Sequence, residues 1–520
     1  MSELNHKGQM LARHLAHLSH EEKTDESARA KAEKVNVVGA GGVLTAAYEQ
    51  LRNAAENTEE HLLLQKAIRR FYRQLFVTRD ETLLVQSGNE LAVELTLAGY
   101  VPNDSLTRQQ VDTISALAVK YYTAYVQLLG RRSVAVNHAS NWTLDVLAVE
   151  VEAVVSDHGM EQVFIELAYS ELSSTLRPED IFGRTVDNFD AALYVAIHQA
   201  LLKSNDPVIR AALLRRYNAS LDDLGGYIAL NKRLDELFES DMTDKLRHIV
   251  DRQGAPLRIL RRMMDEYTDL DTLLENRINF LDKYEKQVEL EYDRVARRIN
   301  RAIVRSVVFL VITKFLIGIA IEVPYDYWAH GEIIWLPLIV NLLFPPIYMF
   351  ALKATHQLPG HANTQALVDR IDTMLYGDST QTLDARSRRR GTSAAFSAVY
   401  VVSSLVIFGA VIYGLLLLDF SLVHIAIFFI FLSAASFLGF RLSRLIRELE
   451  IVRSAQNGMT FIRDLLYLPF VVVGQWISDK YSKVNIVSTV LDMLIELPLK
   501  TVLRLVRQWG AFIDERKDQI

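Results

Sequence analysis

Apolar positions recur at helical spacing through the first 300 residues, then close up into four long runs. Segments 42–56, 60–77, 107–129, 187–203 and 227–239 each repeat apolar side chains three or four residues apart, the spacing of one helix face. Pro102-Asn103, Arg177-Pro178, Asp206-Pro207 and Gly225-Gly226 separate them with turn-forming residues. Alternating strand-like runs are few, and no repeat of fixed length emerges. The pattern predicts an all-α domain over 40–270, behind a flexible N-terminal tail at 1–39.

After residue 300 the pattern changes. Residues 302–323 are apolar apart from Arg305, Lys314 and Glu322, and 333–352 carry no charge. A third run covers 394–418, and a fourth covers 421–440 with only His424 ionisable. At about 1.5 Å per residue, roughly 20 residues cross a hydrocarbon core of about 30 Å, so four transmembrane helices are expected. Residues 277–305 contain neither Pro nor Gly, and Leu281, Val288, Val295 and Ala302 recur every seven residues. This predicts a stalk helix running into the first span and packed on another part of the protein. Glu291 and Arg298 interrupt its stripe, which argues against a sustained coiled coil. The C-terminal region 441–520 reads as amphipathic or interfacial helices. Within it, 465–477 is apolar but too short to span and contains Pro469 and Gly474, so it is expected to be interfacial, re-entrant or buried. Ser488, Asp492, Glu496, Lys500, Arg504 and Gln508 then form a narrow polar stripe at four-residue spacing, with Pro498 as a kink.

Charge orients these elements. The chain carries 57 Lys and Arg against 63 Asp and Glu, a net −6. Residues 1–300 hold 36 basic against 46 acidic side chains (−10), and 301–520 hold 21 against 17 (+4). Such a balance excludes the basic footprint of a nucleic-acid binder. Zero cysteines exclude a disulfide scaffold, a thiolate nucleophile and any Cys-ligated zinc or iron–sulfur site. No apolar h-region lies in 1–23, so no cleaved secretory signal is expected. The connection between the first two spans has Glu322, Asp326 and Glu332 but no Lys or Arg, with Tyr325, Tyr327 and Trp328 in position for an outer aromatic belt. The basic loop 353–393 holds Lys353, Arg370, Arg386, Arg388, Arg389 and Arg390, and Arg441, Arg444 and Arg447 follow the fourth span. The positive-inside rule predicts a multi-pass protein of the cytoplasmic membrane with N-terminus, C-terminus and central loop in the cytoplasm. The same arginines are candidate contacts for anionic lipid headgroups.

Lys314 is the sharpest candidate for chemistry. It falls halfway down the first span, where a charge costs at least about 2.5 kcal/mol and demands a partner or a wet cavity. It marks either an ion or substrate pathway or a structural pair with Glu322, Asn341 or His424. In the second span Pro345 and Pro346 remove two backbone donors and are expected to break the helix, leaving carbonyls for an ion or water, or merely to kink it. Ala410/Gly414 and Ala435/Gly439 suggest close packing of the last hairpin. Gly39 and Gly41 match part of a dinucleotide fingerprint, but Leu44 stands at its third position and no βαβ pattern follows. His14, His17 and His20 read as solvent-exposed. A single Glu-x-x-His, Glu3 to His6, falls short of a di-iron bundle. With no P-loop, His-Glu-x-x-His or Gly-x-Ser-x-Gly, no catalytic residue, cofactor or metal site is expected.

The stretches YEQLRNA (48–54), AGYVPND (98–104), IEVPYDYW (321–328), LIVNLLFPP (338–346) and LDMLIELPLK (491–500) resemble a group of uncharacterised bacterial polytopic membrane proteins. The resemblance covers most of the chain and implies a helical cytoplasmic front, two membrane hairpins and an amphipathic tail. It transfers no activity and no functional residue. The leading expectation is a non-catalytic membrane scaffold or anchor whose acidic helical domain docks a protein partner or a second copy. The alternative is a channel or transporter with a polar pathway near Lys314, and a weaker one is a lipid-modifying membrane enzyme.

Overall fold

The computed structural model describes residues 4–37, 62–78, 81–131, 134–156, 158–354, 358–377, 394–452 and 458–482. Of these residues 83% are helical and none forms a strand. In chain order the helices are α1 (His6–Lys31), α2 (Leu63–Thr78), α3 (Glu81–Val85), α4 (Ser87–Leu97), α5 (Arg108–Leu129), α6 (Val136–Val155) and α7 (Gly159–Thr175). There follow α8 (Pro178–Phe182), α9 (Phe189–Leu202), α10 (Asp206–Arg216), α11 (Leu224–Phe238), α12 (Asp241–Gln253), α13 (Ala255–Glu266) and α14 (Leu270–Leu274). The last six are α15 (Arg277–His330), α16 (Trp335–Ala354), α17 (His361–Tyr376), α18 (Ala394–Leu416), α19 (Leu422–Arg447) and α20 (Gly458–Ser482). The chain divides into two compact units.

The front unit comprises 10–173 and 186–250 among the described residues. Its core is built by amphipathic faces read directly from sequence spacing. On α2, Ala67, Ile68, Phe71, Tyr72, Leu75 and Phe76 are buried, and they meet Trp142, Leu144, Leu147 and Val151 of α6 in one apolar cluster. Thr107 caps α5 and exchanges hydrogen bonds with Gln110, a capping box that satisfies two otherwise orphaned donors. Pro178 and Pro207 stand in the first turns of their helices, where a missing N–H costs nothing. Gly225-Gly226, expected as a break, instead opens α11, because the Asp223 carboxylate accepts from both glycine amides. The expected helix at 42–56 lies outside the described residues.

The expected flexible tail contains α1, a correction. Leu4, Leu11 and Leu15 are buried. Their three- and four-residue spacing, completed by Gly8, is a helix stripe obscured by the polar residues around it.

The second unit covers 4–9, 174–185 and 251–482 of the described residues. Four of its helices are long and apolar enough to cross a membrane: 54 residues at Arg277–His330, and the runs Trp335–Lys353, Ala398–Leu416 and Leu422–Arg447. Ile303 and Leu310 of α15 pack with Met349 and Leu352 of α16 and with Ile427, Phe431 and Ala435 of α19. Val308, Phe309, Ile312 and Phe315 of α15, with Val401, Val402, Leu405 and Val406 of α18, point outward and exposed. An apolar exterior of this extent is what a bilayer solvates.

Two expectations are corrected here, for the connection at 323–330 and the basic loop, and two open alternatives are decided. The connection at 323–330 is helical, continuing α15 rather than looping. α16 runs unbroken through Pro345 and Pro346; neighbouring helices hold it together where its own hydrogen bonds are lost. The basic loop 353–393 contains α17, whose Leu367, Ile371 and Leu375 are buried at helical spacing. Likewise 465–477 lies within the continuous helix α20, packed along α19 with Phe470 against Phe408 and Phe429. Gly474 permits that approach, since a Cβ there would collide with the Ser433 carbonyl oxygen and stand 2.7 Å from the Phe437 Cβ. By contrast Gly414 has nothing within 4 Å of an added Cβ among the described residues, so it marks no close contact there.

The N-terminal half of α15 is clasped by α13, α14 and α17. Tyr284 donates to the Pro256 carbonyl over 3.0 Å, Tyr376 to the Leu274 carbonyl over 2.9 Å, and Arg277 grips Asp372 through two bonds of 2.7 Å. Asn5 donates to the Met374 and Gly377 carbonyls, both at 2.9 Å, which fixes the N-terminal end against α17.

Candidate functional site

The polar residues of the apolar helices converge. Lys314, Glu322 and Asp326 come from α15, Asn341 from α16 and His424 from α19, and each is at most 2% exposed. Lys314 Nζ donates to Glu322 Oε1 at 2.6 Å. Asn341 Nδ2 donates to the same oxygen at 2.9 Å and to the His424 carbonyl at 3.3 Å. His424 Nε2 stands 3.5 Å from Asp326 Oδ1. The Lys314 ammonium also lies 5.1 Å from the Phe431 ring centroid, a cation–π contact that strengthens away from water.

Helix geometry explains how Lys314 meets a residue eight positions later. In a regular α-helix that offset is turned roughly 80° away. The π-helical turn Gly318–Glu322 absorbs one extra residue, so Glu322 takes the place of a seventh neighbour, within roughly 20° of Lys314. Gly318 lies between them, and a Cβ there would come within 3.6 Å of the Glu322 carboxylate. The widened turn passes the Val323 amide to the Gly318 carbonyl, and it sits directly before Pro324, whose ring a tighter turn would crowd. Asp326, one further turn on, stays on the same face. Its Oδ2 accepts from the Ile334 amide at 3.2 Å, while His330 Nδ1 approaches Oδ1 at 3.9 Å.

Ser421 caps α19, accepting from the His424 amide at 3.4 Å, and its hydroxyl lies 2.9 Å from His424 Nδ1. Either atom of this contact can be the donor, and in the tautomer where the serine hydroxyl donates to Nδ1 the ring proton sits on Nε2, toward Asp326. The Tyr325 and Phe420 rings meet the imidazole edge-on at 6.3 and 6.1 Å. Pro345 and Pro346 withhold the amides that would serve the carbonyls of Asn341 and Leu342, and among the described residues Asn341 Oδ1 is itself buried without a hydrogen-bond partner. Two carboxylates against one lysine leave the cluster neutral only when one more proton is bound.

Thus Lys314, Glu322, Asn341 and His424 are brought together. Asp326 was placed in an outer loop by the sequence reading, although its four-residue spacing from Glu322 was the signal of a shared helix face. Ser421, Gly318 and Phe431 carried no signal of their own. The basic clusters divide: Arg386, Arg388, Arg389 and Arg390 lie outside the described residues, Arg444 is 3.5 Å from Asp251, Arg447 sits 5.3 Å over the Phe440 ring, and Arg441 is exposed. His17 faces Glu21 at 3.2 Å and His14 faces Glu166 at 4.0 Å. The Gly39–Gly41 motif and the stripe at 488–508 lie outside the described residues. Among those residues no three His, Asp or Glu side chains gather as a metal site.

Comparison with known proteins finds no matching family model, curated protein or solved structure.

Proposed function

We propose that the protein is a non-catalytic multi-pass anchor of a bacterial cytoplasmic membrane, with both termini on the cytoplasmic side and a front unit that holds a protein partner. The observation that carries this reading is the enclosed Lys314–Glu322 pair, which binds α15 to itself and, through Asn341, to α16. A buried charge paired within the span locks helices together. Beyond the span, the same helix continues into the clasp of α13, α14 and α17. Exposed Arg441 contacts anionic headgroups at the membrane surface. The test is the mass and composition of the complex extracted gently into nanodiscs. A stoichiometric second protein is expected, and a pure homo-oligomer would overturn the anchor reading.

The surplus carboxylate favours a second reading, a proton-coupled pathway through Asp326 and His424. Proteoliposomes carrying the protein would then dissipate an imposed pH gradient, and Asp326→Asn would abolish that flux. An anchor shows no flux in either form.

A further inference from the structure

We infer that an arc of arginines on α15, where the helix enters the first span, holds the phosphate headgroup of an anionic phospholipid of the cytoplasmic leaflet, and that the apolar stripe continuing the arc takes its acyl chains. The inference rests on the proposed membrane setting and orientation, and it assigns the protein a bound lipid where the charges alone would give only a topology signal.

The arginines of α15 change character along the helix. Arg277 grips Asp372, and Arg294 donates to Glu266 at 2.6 Å and to Glu291 at 2.5 Å. Arg297, Arg298, Arg301 and Arg305 are exposed, and among the described residues none of the four makes a hydrogen bond, ion pair or ring contact. No Asp or Glu stands between Asp293 and Glu322, so α15 offers the last three no acid within a turn. Guanidinium groups left unspent on a helix whose other arginines are paired form a surface matched to phosphate, which their planar forks bind through two oxygens at once.

Helix geometry puts these charges above an apolar stripe. The α-helix is regular over Arg277–Ile317, and at about 100° per residue the four arginines fall within roughly 100° of its circumference. Val308, Phe309, Ile312 and Leu316, all exposed, continue the same side toward the membrane centre. Ile299, Ile303 and Leu310 are buried on the opposite side. Arg301 directly precedes the apolar run 302–323. At 1.5 Å per residue Arg298 stands about 6 Å before that run and Arg305 about 5 Å inside it. Helical side chains lean toward the N-terminal end, here the cytoplasmic one, which brings Arg305 back toward the others. The polar headgroup layer is about 5–7 Å deep on each side of the hydrocarbon core, so the arc matches its depth. Phosphate beside hydrocarbon is the chemistry of a phospholipid. An acidic protein would match the arginines and leave the apolar stripe uncovered.

Native mass spectrometry of the full chain in detergent micelles, titrated with dioleoylphosphatidylglycerol or dioleoylphosphatidylcholine, tests this. The first phosphatidylglycerol should bind at least about fivefold more tightly than the first phosphatidylcholine. Arg298→Gln/Arg301→Gln should remove most of that preference with an unchanged helical spectrum, while Arg297 and Arg305 preserve the positive-inside signal. Lys120→Gln/Lys232→Gln, the same loss of charge at exposed positions of the front unit, should leave the preference intact. Glycerol 3-phosphate, which lacks acyl chains, and poly-glutamate should not displace the bound lipid. No preference in the parent, an undiminished preference in the arginine variant, an equal loss in the lysine control, or displacement by either competitor would overturn the inference. Micelles impose no orientation and the titration involves no protein partner, so failure here leaves the anchor reading to its own test.

Discussion

Lys314 and Glu322 share a 2.6 Å hydrogen bond across eight residues of one helix, made possible by the π-helical turn between them. Among the described residues each is the other's only opposite charge within bonding distance, so the pair behaves as one unit. Replacing Lys314 with Leu alone strands a buried carboxylate and should cost about 3–5 kcal/mol. Replacing Lys314 and Glu322 together with Leu should be neutral or stabilising, since the desolvation of both charges disappears. Thermal unfolding in nanodiscs checks both, and equal losses in the single and double variants would refute the pairing.

Gly474 and Gly414 make a control pair. A Cβ at 474 would strike the Ser433 carbonyl and the Phe437 Cβ, whereas one at 414 meets nothing within 4 Å. Gly474→Ala should lower stability by about 1–3 kcal/mol through forced separation of α19 and α20. Gly414→Ala should stay within about 0.5 kcal/mol of the parent. The ranking is read from midpoints in a single denaturation series.

Asn363 holds the end of α19 to α15 and α17. Its Nδ2 donates to the Tyr292 hydroxyl and the Leu449 carbonyl, both at 2.8 Å, and its Oδ1 accepts from the amides of Ile451 and Val452 at 2.8 and 3.0 Å. Asn363→Leu leaves buried partners unmatched at a cost of at least about 2–3 kcal/mol. Limited proteolysis should then cut near 449–452 well before the parent is cut, and an unchanged cleavage rate would deny the clasp.

The front unit holds two groups whose titrations oppose each other. Burial pushes the Glu152 carboxyl up to about 7, Glu161 adding to the effect and His158 opposing it. Its folded form therefore holds a proton that the unfolded form releases near 4.5, and stability falls as pH rises from 4.5 to 7. Burial lowers His198 from 6.5 to about 4, so there stability rises as pH climbs from 4 to 6.5. Glu152→Gln should remove the decline and raise stability at pH 8 by at most about 3 kcal/mol. Hydrogen exchange of α6 amides against pH provides the readout, and an unaltered slope in the variant would dismiss the assignment.

The absence of cysteine makes single substitutions clean topology reporters. Ala329 and Ala362 are both exposed. In intact cells Ala329→Cys should react with a membrane-impermeant maleimide and Ala362→Cys should not, until the membrane is opened. The reverse pattern would invert the proposed orientation.

Composition and period alone determined much of this protein. Apolar runs at 333–352 and 421–440 identify spans because backbone satisfaction in lipid admits little besides a helix, and the faces of α2 and α5 follow from three- and four-residue spacing. Lys314 stood out because a charge in that setting demands a partner. Which partner it takes was decided by tertiary structure, since a π-helical turn rotates Glu322 and Asp326 onto its face and no local signal announces such a turn. The same holds for α17 and α1. Their apolar stripes are short and flanked by charge, so they read as loop and tail until packing against other elements supplies the burial that makes them helices. A cleft in the front unit at Arg69 and Asp235 is the clearest case, because its lining comes from residues up to 174 positions apart and only the fold brings them together.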